Sequence, residues 1–291
     1  MFAMRLRFTT MGFALLFAIC MVGSVRADQP GFTTIDVPGA SGTDARGINP
    51  QGDIVGFDYS FTGDVLNTVH VHGFLLSKGV FTTIDVPGAS DTYPSGINPQ
   101  GDIVGRYNNA TLVVHGFLLS QGVFTTVDVP GASFTEARGI NPQGDIVGNF
   151  FNATGGHGFL LSKGAFTTID VPGASFTEAS GINSQGDIVG RRSFPGELQG
   201  FLLSRGAFTT IGVPSAVVLQ AWGIDPQGSI VGDYSSFGPT DVHGFLLSRG
   251  AFETIDVTGA AETFARGINP QGDIVGFYIN ATGGHGFLLS K

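Results

Sequence analysis

The amino-acid sequence predicts an all-β chain folded as a six-bladed β-propeller, with four antiparallel strands per blade and the N-terminal strand closing the last blade. Four short β-rich blocks recur six times in the same order. Tight-turn signatures join those blocks in pairs. The repeat region also opens with one lone copy of the block with which each repeat would otherwise end, and it stops one block short.

The block "FTTIDVPGA" starts at Phe32, Phe81 and Phe166, with variants at Phe124, Phe208 and Phe252, so the repeats are about 42–49 residues long. Each copy is followed by "GIN" or "GID", then "DIVG" or "SIVG", then "HGFLLS", once "QGFLLS". These blocks are rich in Ile, Val, Phe and Thr and too short for helices, so they read as strands. Four strands in 40–45 residues is the size of a propeller blade.

The turns fix the pairing. Asn49-Pro50-Gln51-Gly52 has Asn at the first position, Pro at the second and Gly at the fourth, the demands of a type I turn followed by a bulge, and it joins "GIN" to "DIVG". "SKG", "SQG" and "SRG" join "HGFLLS" to the next "FTTIDV". The predicted order is therefore "GIN" innermost, then "DIVG", then "HGFLLS", with "FTTIDV" outermost. "FLLS" and "DIVG" carry apolar residues for both faces, as sheets packed between two neighbours require. "GFTTIDV" at Gly31–Val37 is unpaired, and the chain stops at Lys291 directly after "HGFLLS". If that first strand completes the last blade, no sheet edge is left open.

The first thirty residues have the layout of a secretory signal peptide. Arg5 and Arg7 precede an apolar stretch, and Val25 and Ala27 precede a cleavage point before Asp28. The expected division is a signal peptide over 1–27 and a single propeller domain over 28–291. Cys20, the only cysteine, leaves with the signal, so the mature chain has neither disulfide nor cysteine chemistry. Cleavage also leaves 11 basic against 23 acidic residues, a net charge of −12. Such a surface repels nucleic-acid phosphate, and no apolar run after the signal is long enough to span a membrane. The expected location is secreted, extracellular or periplasmic. A closed ring has no obligatory partner edge, so a monomer is expected.

The segments "GINPQGDIVGFY", "GGHGFLLSKGAF" and "FTTIDVPGA" resemble the HAF-repeat family of predicted extracellular bacterial proteins. The likeness runs from Gly31 to Lys291, with one departure: the His-Ala-Phe of the family is His-Gly-Phe here, and Gln199-Gly200-Phe201 in repeat four. The resemblance implies export and β-structure and no established activity.

Function is sought where the repeats differ, on the face of long loops leading from each outer strand to the next blade. One residue precedes each "GI": Arg46, Ser95, Arg138, Ser180, Trp222 and Arg266. In the propeller these ring the channel mouth, where Arg46, Arg138 and Arg266 can fork onto a carboxylate and Trp222 can stack on a sugar ring. The bland alternative pairs Arg46 with Asp44, Arg138 with Glu136 and Arg266 with Glu262. Arg191 and Arg192 are further candidates for gripping an acidic ligand.

His72, His115, His157, His243 and His285 each begin a third strand, and Asp36, Asp85, Asp128, Asp170 and Asp256 recur in the outer one. Repetition of this kind predicts one structural hydrogen bond per blade, and the same holds for Asp53, Asp102, Asp145, Asp187 and Asp273 of "GDIVG". "NAT" at Asn109, Asn152 and Asn280 matches a glycosylation acceptor. No cofactor is expected, and no motif supports a calcium ion in the channel.

No nucleophile elbow, HExxH, Walker loop or dinucleotide fingerprint occurs. The leading expectation is a secreted, non-catalytic propeller binding an extracellular polysaccharide or protein through its long-loop face. The alternatives are a carbohydrate-active hydrolase or lyase using Asp44, Glu136, Glu178, Asp233 or Glu262, and a purely structural envelope or matrix protein.

Overall fold

The computed structural model describes residues 21–22, 25–29, 31–61, 69–195, 197–212, 216, 218–236 and 241–291. Residues 1–20, 23 and 24 of the predicted signal peptide lie outside them, as do residues 62–68 of repeat one. All regular elements among the described residues are β-strands. No helix there is long and apolar enough to cross a membrane.

Each repeat forms a four-stranded antiparallel sheet in the predicted order. In repeat one, Gly42–Ile48 is innermost, followed by Ile54–Phe61, Val69–Ser77 and Val80–Ile84. Repeats two to five begin with inner strands Ala89–Ile97, Phe134–Ile140, Phe176–Ile182 and Val218–Ile224. Repeat six supplies only Glu262–Ile268, Ile274–Asn280 and Gly283–Leu289. Its fourth strand is Phe32–Ile35, antiparallel, with Phe32 opposite Leu289 and Ile35 opposite Gly286. Val25–Gln29 lies antiparallel outside that strand. Cleavage after Ala27 would remove most of it and leave sheet six with four strands.

The turn chemistry works as read. The Gly52 N–H donates to the Asn49 carbonyl at 3.1 Å, and Asn49 Oδ1 accepts the backbone N–H of Gln51 at 3.0 Å and of Asp53 at 2.9 Å. Asn49 Nδ2 donates to Asp53 Oδ2 at 3.0 Å, which accounts for the aspartate of "GDIVG". In the "SKG" turns both central residues are left-handed, Lys78 at φ 50° and Gly79 at φ 80°, which marks a type I′ hairpin.

In five of the six sheets a His–Asp side-chain hydrogen bond links the third strand to the end of the outer one. His72 bonds Asp85 at 2.9 Å, His115 bonds Asp128 at 2.7 Å, His157 bonds Asp170 at 2.9 Å, and His243 and His285 bond Asp256 and Asp36 at 3.0 Å. Sheet four loses both partners together, with Gln199 and Gly212 in their places. The "NAT" segments are turns: Asn152 Oδ1 accepts the Thr154 backbone N–H at 2.8 Å, and Thr154 Oγ1 bonds the far nitrogen of His157 at 2.9 Å.

The core lies between sheets. The phenylalanines of "HGF", Phe74, Phe117, Phe159, Phe201, Phe245 and Phe287, are fully buried. Each apolar cluster takes a valine from the preceding sheet: Val55 packs with sheet two, and Val275 of sheet six packs with Ala45 and Phe74 of sheet one. The glycine before each "IN" permits the closest approach. A Cβ on Gly96 would lie 2.8 Å from the Arg138 carbonyl oxygen, and one on Gly267 would lie 2.7 Å from that of Arg46. The inter-sheet contacts thus run from sheet to sheet and return to the first.

One expectation is corrected. The segments expected as long loops before "GIN" are largely strand. The inner strand starts at Gly42, not Gly47, and the second strand runs on to Phe61, well past "DIVG". The residues there change from repeat to repeat, which hid the alternation that marks a strand. Only residues 36–41 form the connecting loop of that repeat.

Candidate functional site

Every inner strand carries a register shift at the same place, between Ala45 and Gly47 in sheet one, between Pro94 and Gly96 in sheet two, and likewise through sheet six. The extra residue at each shift is Arg46, Ser95, Arg138, Ser180, Trp222 or Arg266. A bulge re-aims its side chain and is enriched next to binding sites. The six residues singled out in the sequence are the six bulge residues, and all six line one central cavity together with the Gly-Ile pair that follows each.

Two further tiers stand above them. Two residues upstream on the inner strands are Asp44, Tyr93, Glu136, Glu178, Gln220 and Phe264. Directly across from these, on the second strands, are Phe57, Arg106, Asn149, Arg191, Asp233 and Phe277. Each of these three tiers holds a mixture of residue types, with Arg, Ser, Glu and Phe recurring, whereas the "GI" and "IVG" residues beside them hardly change.

The tiers are tied by charge. Arg46 bonds Asp44 at 2.8 Å and lies 4.9 Å from the Phe57 ring centre. Arg106 stacks 3.8 Å over Tyr93 and reaches Glu136 of the next sheet at 3.3 Å. Arg138 bonds Glu136 at 2.9 Å and Glu178 at 3.3 Å through one nitrogen, and its Nε donates to Asn149 at 3.2 Å. Arg191 bonds Glu178 at 3.0 Å and Gln220 at 2.6 Å. Arg266 bonds Asp233 at 2.9 Å and lies 4.2 Å from the Trp222 ring centre. A belt of polar contacts thereby runs from sheet two to sheet six.

Two of the three expected arginine pairs form, Arg46–Asp44 and Arg138–Glu136. Arg266 does not reach Glu262; it pairs with Asp233 of sheet five instead. Residues two apart on a strand are neighbours on one face, but four apart they are about 13 Å away at 3.3 Å per residue. Glu262 sits opposite Ile279, two residues further along the strand from Arg266 than Phe264. Arg191 faces the bowl, and Arg192, the next residue on the strand, faces away, where it donates to Gln199 at 2.9 Å and to Thr210. Arg106, Tyr93, Phe57 and Phe264 were missed. They stood outside the residue-before-"GI" pattern, although their place two residues upstream, or directly after "IVG", was a readable signal.

Burial sets the charges. Glu178 is buried, which alone would favour its neutral form, but Arg138 and Arg191 hold its carboxyl below the usual range. Burial raises the Asp233 carboxyl despite Arg266 and the Trp222 N–H. Arg266 falls to about 10, through burial and the neighbouring Arg46 and Arg138, against the pull of Asp233. Arg46 Nε, Arg191 Nε, Arg266 Nε and one oxygen of Asp44 are buried and find no partner within the protein.

The bowl formed by these tiers has a volume of about 380 Å³ and includes Arg46, Arg106, Arg138, Trp222, Arg266 and Glu136 in its wall. The channel below it, about 110 Å³, narrows onto Ile48, Ile97, Ile140, Ile182, Ile224 and Ile268. Small-ligand sites run to roughly 300–1,000 Å³, so the bowl has the room and the channel does not. With five arginines against Asp44, Glu136, Glu178 and Asp233, the bowl is formally positive on a chain of net charge −9.

No family model matches the chain, and no curated protein matches its sequence. Solved structures do match its shape. The putative TolB from Agrobacterium tumefaciens aligns with a TM-score of 0.57 at 14% identity, covering 85% of this chain and 89% of that one. The β-propeller domain of the Trilobed protease from Pyrococcus furiosus gives 0.51 at 10% identity over 85% and 95%. An Aleuria aurantia lectin in complex with Fucα1-6GlcNAc gives 0.51 at 11% over 81% and 88%. At these identities the likeness defines the fold alone: the chain is built as the β-propellers are.

Proposed function

We propose that the chain is an exported, non-catalytic propeller of six blades, closed into a ring by Phe32–Ile35, that binds a carboxylated saccharide in the arginine- and tryptophan-walled bowl. One observation carries the reading: the positions that wall the bowl vary between repeats whose adjoining "GI" and "IVG" residues hardly change. The turns "NPQG" and "KG" hardly vary, whereas the half-buried bowl varies together with the turns between the second and third strands. The guanidiniums of Arg46, Arg138, Arg191 and Arg266 supply forked donors for a carboxylate, and Trp222 supplies a flat apolar face. The lectin neighbour is compatible with a propeller presenting a sugar and assigns none to this chain.

Trp222 is the only tryptophan in the sequence, so its fluorescence reports on the bowl alone. The chain from Asp28 onward, titrated with acidic and neutral saccharides, is expected to show a saturable change with acidic ones. An emission spectrum unmoved by every saccharide would overturn the reading. A second reading, hydrolase or lyase, is favoured by the opposite shifts of two carboxyls, Asp233 upward and Glu178 downward, since an acid–base pair needs its two carboxyls pushed apart. Release of new reducing ends from the bound saccharide would select it.

A further inference from the structure

One side of the bowl wall continues into an aromatic shelf. Phe134 starts the inner strand of sheet three at the bowl wall, and Phe151 stands opposite it on the second strand. Their rings meet edge-on at 5.5 Å, and Phe151 stacks on Phe176 of sheet four at 5.6 Å and 21°. Phe176 in turn lies 5.7 Å from the Arg191 guanidinium. Gly156 leaves space for this shelf, because a Cβ there would lie 2.4 Å from Phe176 and 2.7 Å from Phe151. Where sheet three pairs Phe134 with Phe151, sheets four, five and six pair Phe176 with Ser193, Val218 with Ser235 and Glu262 with Ile279. Among the described residues, only between sheets three and four do three phenylalanines join.

We propose that this shelf is a second saccharide subsite, so that the ligand is a chain of acidic sugars with one unit in the bowl and a neighbour stacked on Phe151. The inference rests on the proposed bowl. Phe151 is 40% exposed, and exposed Ser133, Asn152 and Ser175 frame it. A flat apolar patch inside a polar frame fits a sugar ring, apolar on its face and hydroxylated at its edge. A protein partner would need about 800 Å² on each side. The other exposed large apolar residues, such as Leu112, Val123 and Ile279, belong to other sheets, and one half-exposed ring falls well short of that area.

Calorimetric titration with galacturonate, glucuronate and their linear trimers tests the shelf in the wild type, Phe151→Ala and Phe151→Tyr. In the wild type a trimer should bind at least tenfold tighter than its monomer, beyond the statistical factor of about three for its extra units. Phe151→Ala should leave monomer binding unchanged and bring the trimer to within that factor; Phe151→Tyr should keep the gain. Monomer binding without a length gain, or equal weakening of monomer and trimer by Phe151→Ala, overturns the shelf alone. No binding of any of the four probes overturns the bowl as well.

Discussion

Trp222 and Arg266, on adjacent sheets, share one oxygen: the indole N–H donates to Asp233 Oδ1 at 2.5 Å, and the Arg266 guanidinium donates to the same atom at 2.9 Å. Asp233 thereby holds the aromatic and one cationic wall of the bowl at once. Asp233→Asn should leave Arg266 buried without its counter-charge and release the indole. Breaking a buried pair by removing one partner costs about 3–5 kcal/mol. The expected result is a lower Tm with a shifted Trp222 emission, and a Tm within a degree of the wild type would disprove the anchoring role.

Sheet one departs from the others beside His72. Its cross-strand neighbour is Asp58, where sheets two, three, five and six have Tyr107, Phe150, Tyr234 and Tyr278 packed on the histidine. Burial, with the help of Asp85 and against His72, raises the Asp58 carboxyl to about 6. An acid whose folded pKa is raised loses stability as pH climbs from its unfolded value near 4 to its folded one, and the loss is complete above pH 6. Asp58→Asn should therefore be more stable than the wild type at pH 7, by about 1–2 kcal/mol after solvent screening, and the difference should vanish near pH 4. Denaturant unfolding at both pH values measures it; an equal difference at both would refute the assignment.

Leu112 holds a left-handed conformation, φ 62°, with its side chain 72% exposed, at the place where repeats three and six have Gly155 and Gly283. A side chain in that region costs about 1–2 kcal/mol, and no burial offsets it. Leu112→Gly is expected to stabilise the protein by about 1 kcal/mol, read as a rise in the denaturant midpoint at unchanged slope.

Gly190 permits the bulge of sheet four, since a Cβ there would lie 1.9 Å from the Glu178 carbonyl oxygen. Gly190→Ala must push the inner strand away and misplace Glu178 and Arg191. A loss above 3 kcal/mol is expected, against a change within about 0.5 kcal/mol for a surface substitution such as Ser184→Ala. Parallel thermal melts separate the two outcomes.

The repeated parts of this fold were legible because each carries local chemistry: Asn49-Pro50-Gln51-Gly52 dictates its own hairpin, and Phe74 with Val55 dictates sheet packing. The pairing of Phe32–Ile35 with the last strand followed from counting strands. The bowl was half legible. Arg46, Arg138, Trp222 and Arg266 were visible as the variable residue before "GI", but the bulge that aims them lies in backbone register, which residue types do not show. Arg106 was missed although it directly follows "IVG", and Asp233 stood only as a candidate acid, because the residues after that block carry no repeated strand signature. The Arg266–Asp233 pair joins two repeats, and spacing within one repeat points to the wrong acid, Glu262.

The pairing of Phe32–Ile35 with Gly283–Leu289 also sets an order of events. Synthesis runs from the N-terminus, so the earlier strand waits through some 250 further residues before its partner exists. Until then sheet six has no third strand to receive it, and sheet one has no Val275 to close its apolar cluster. A nascent chain of this kind cannot lock prematurely. Sheet six gains its fourth strand only once Gly283–Leu289 has been made.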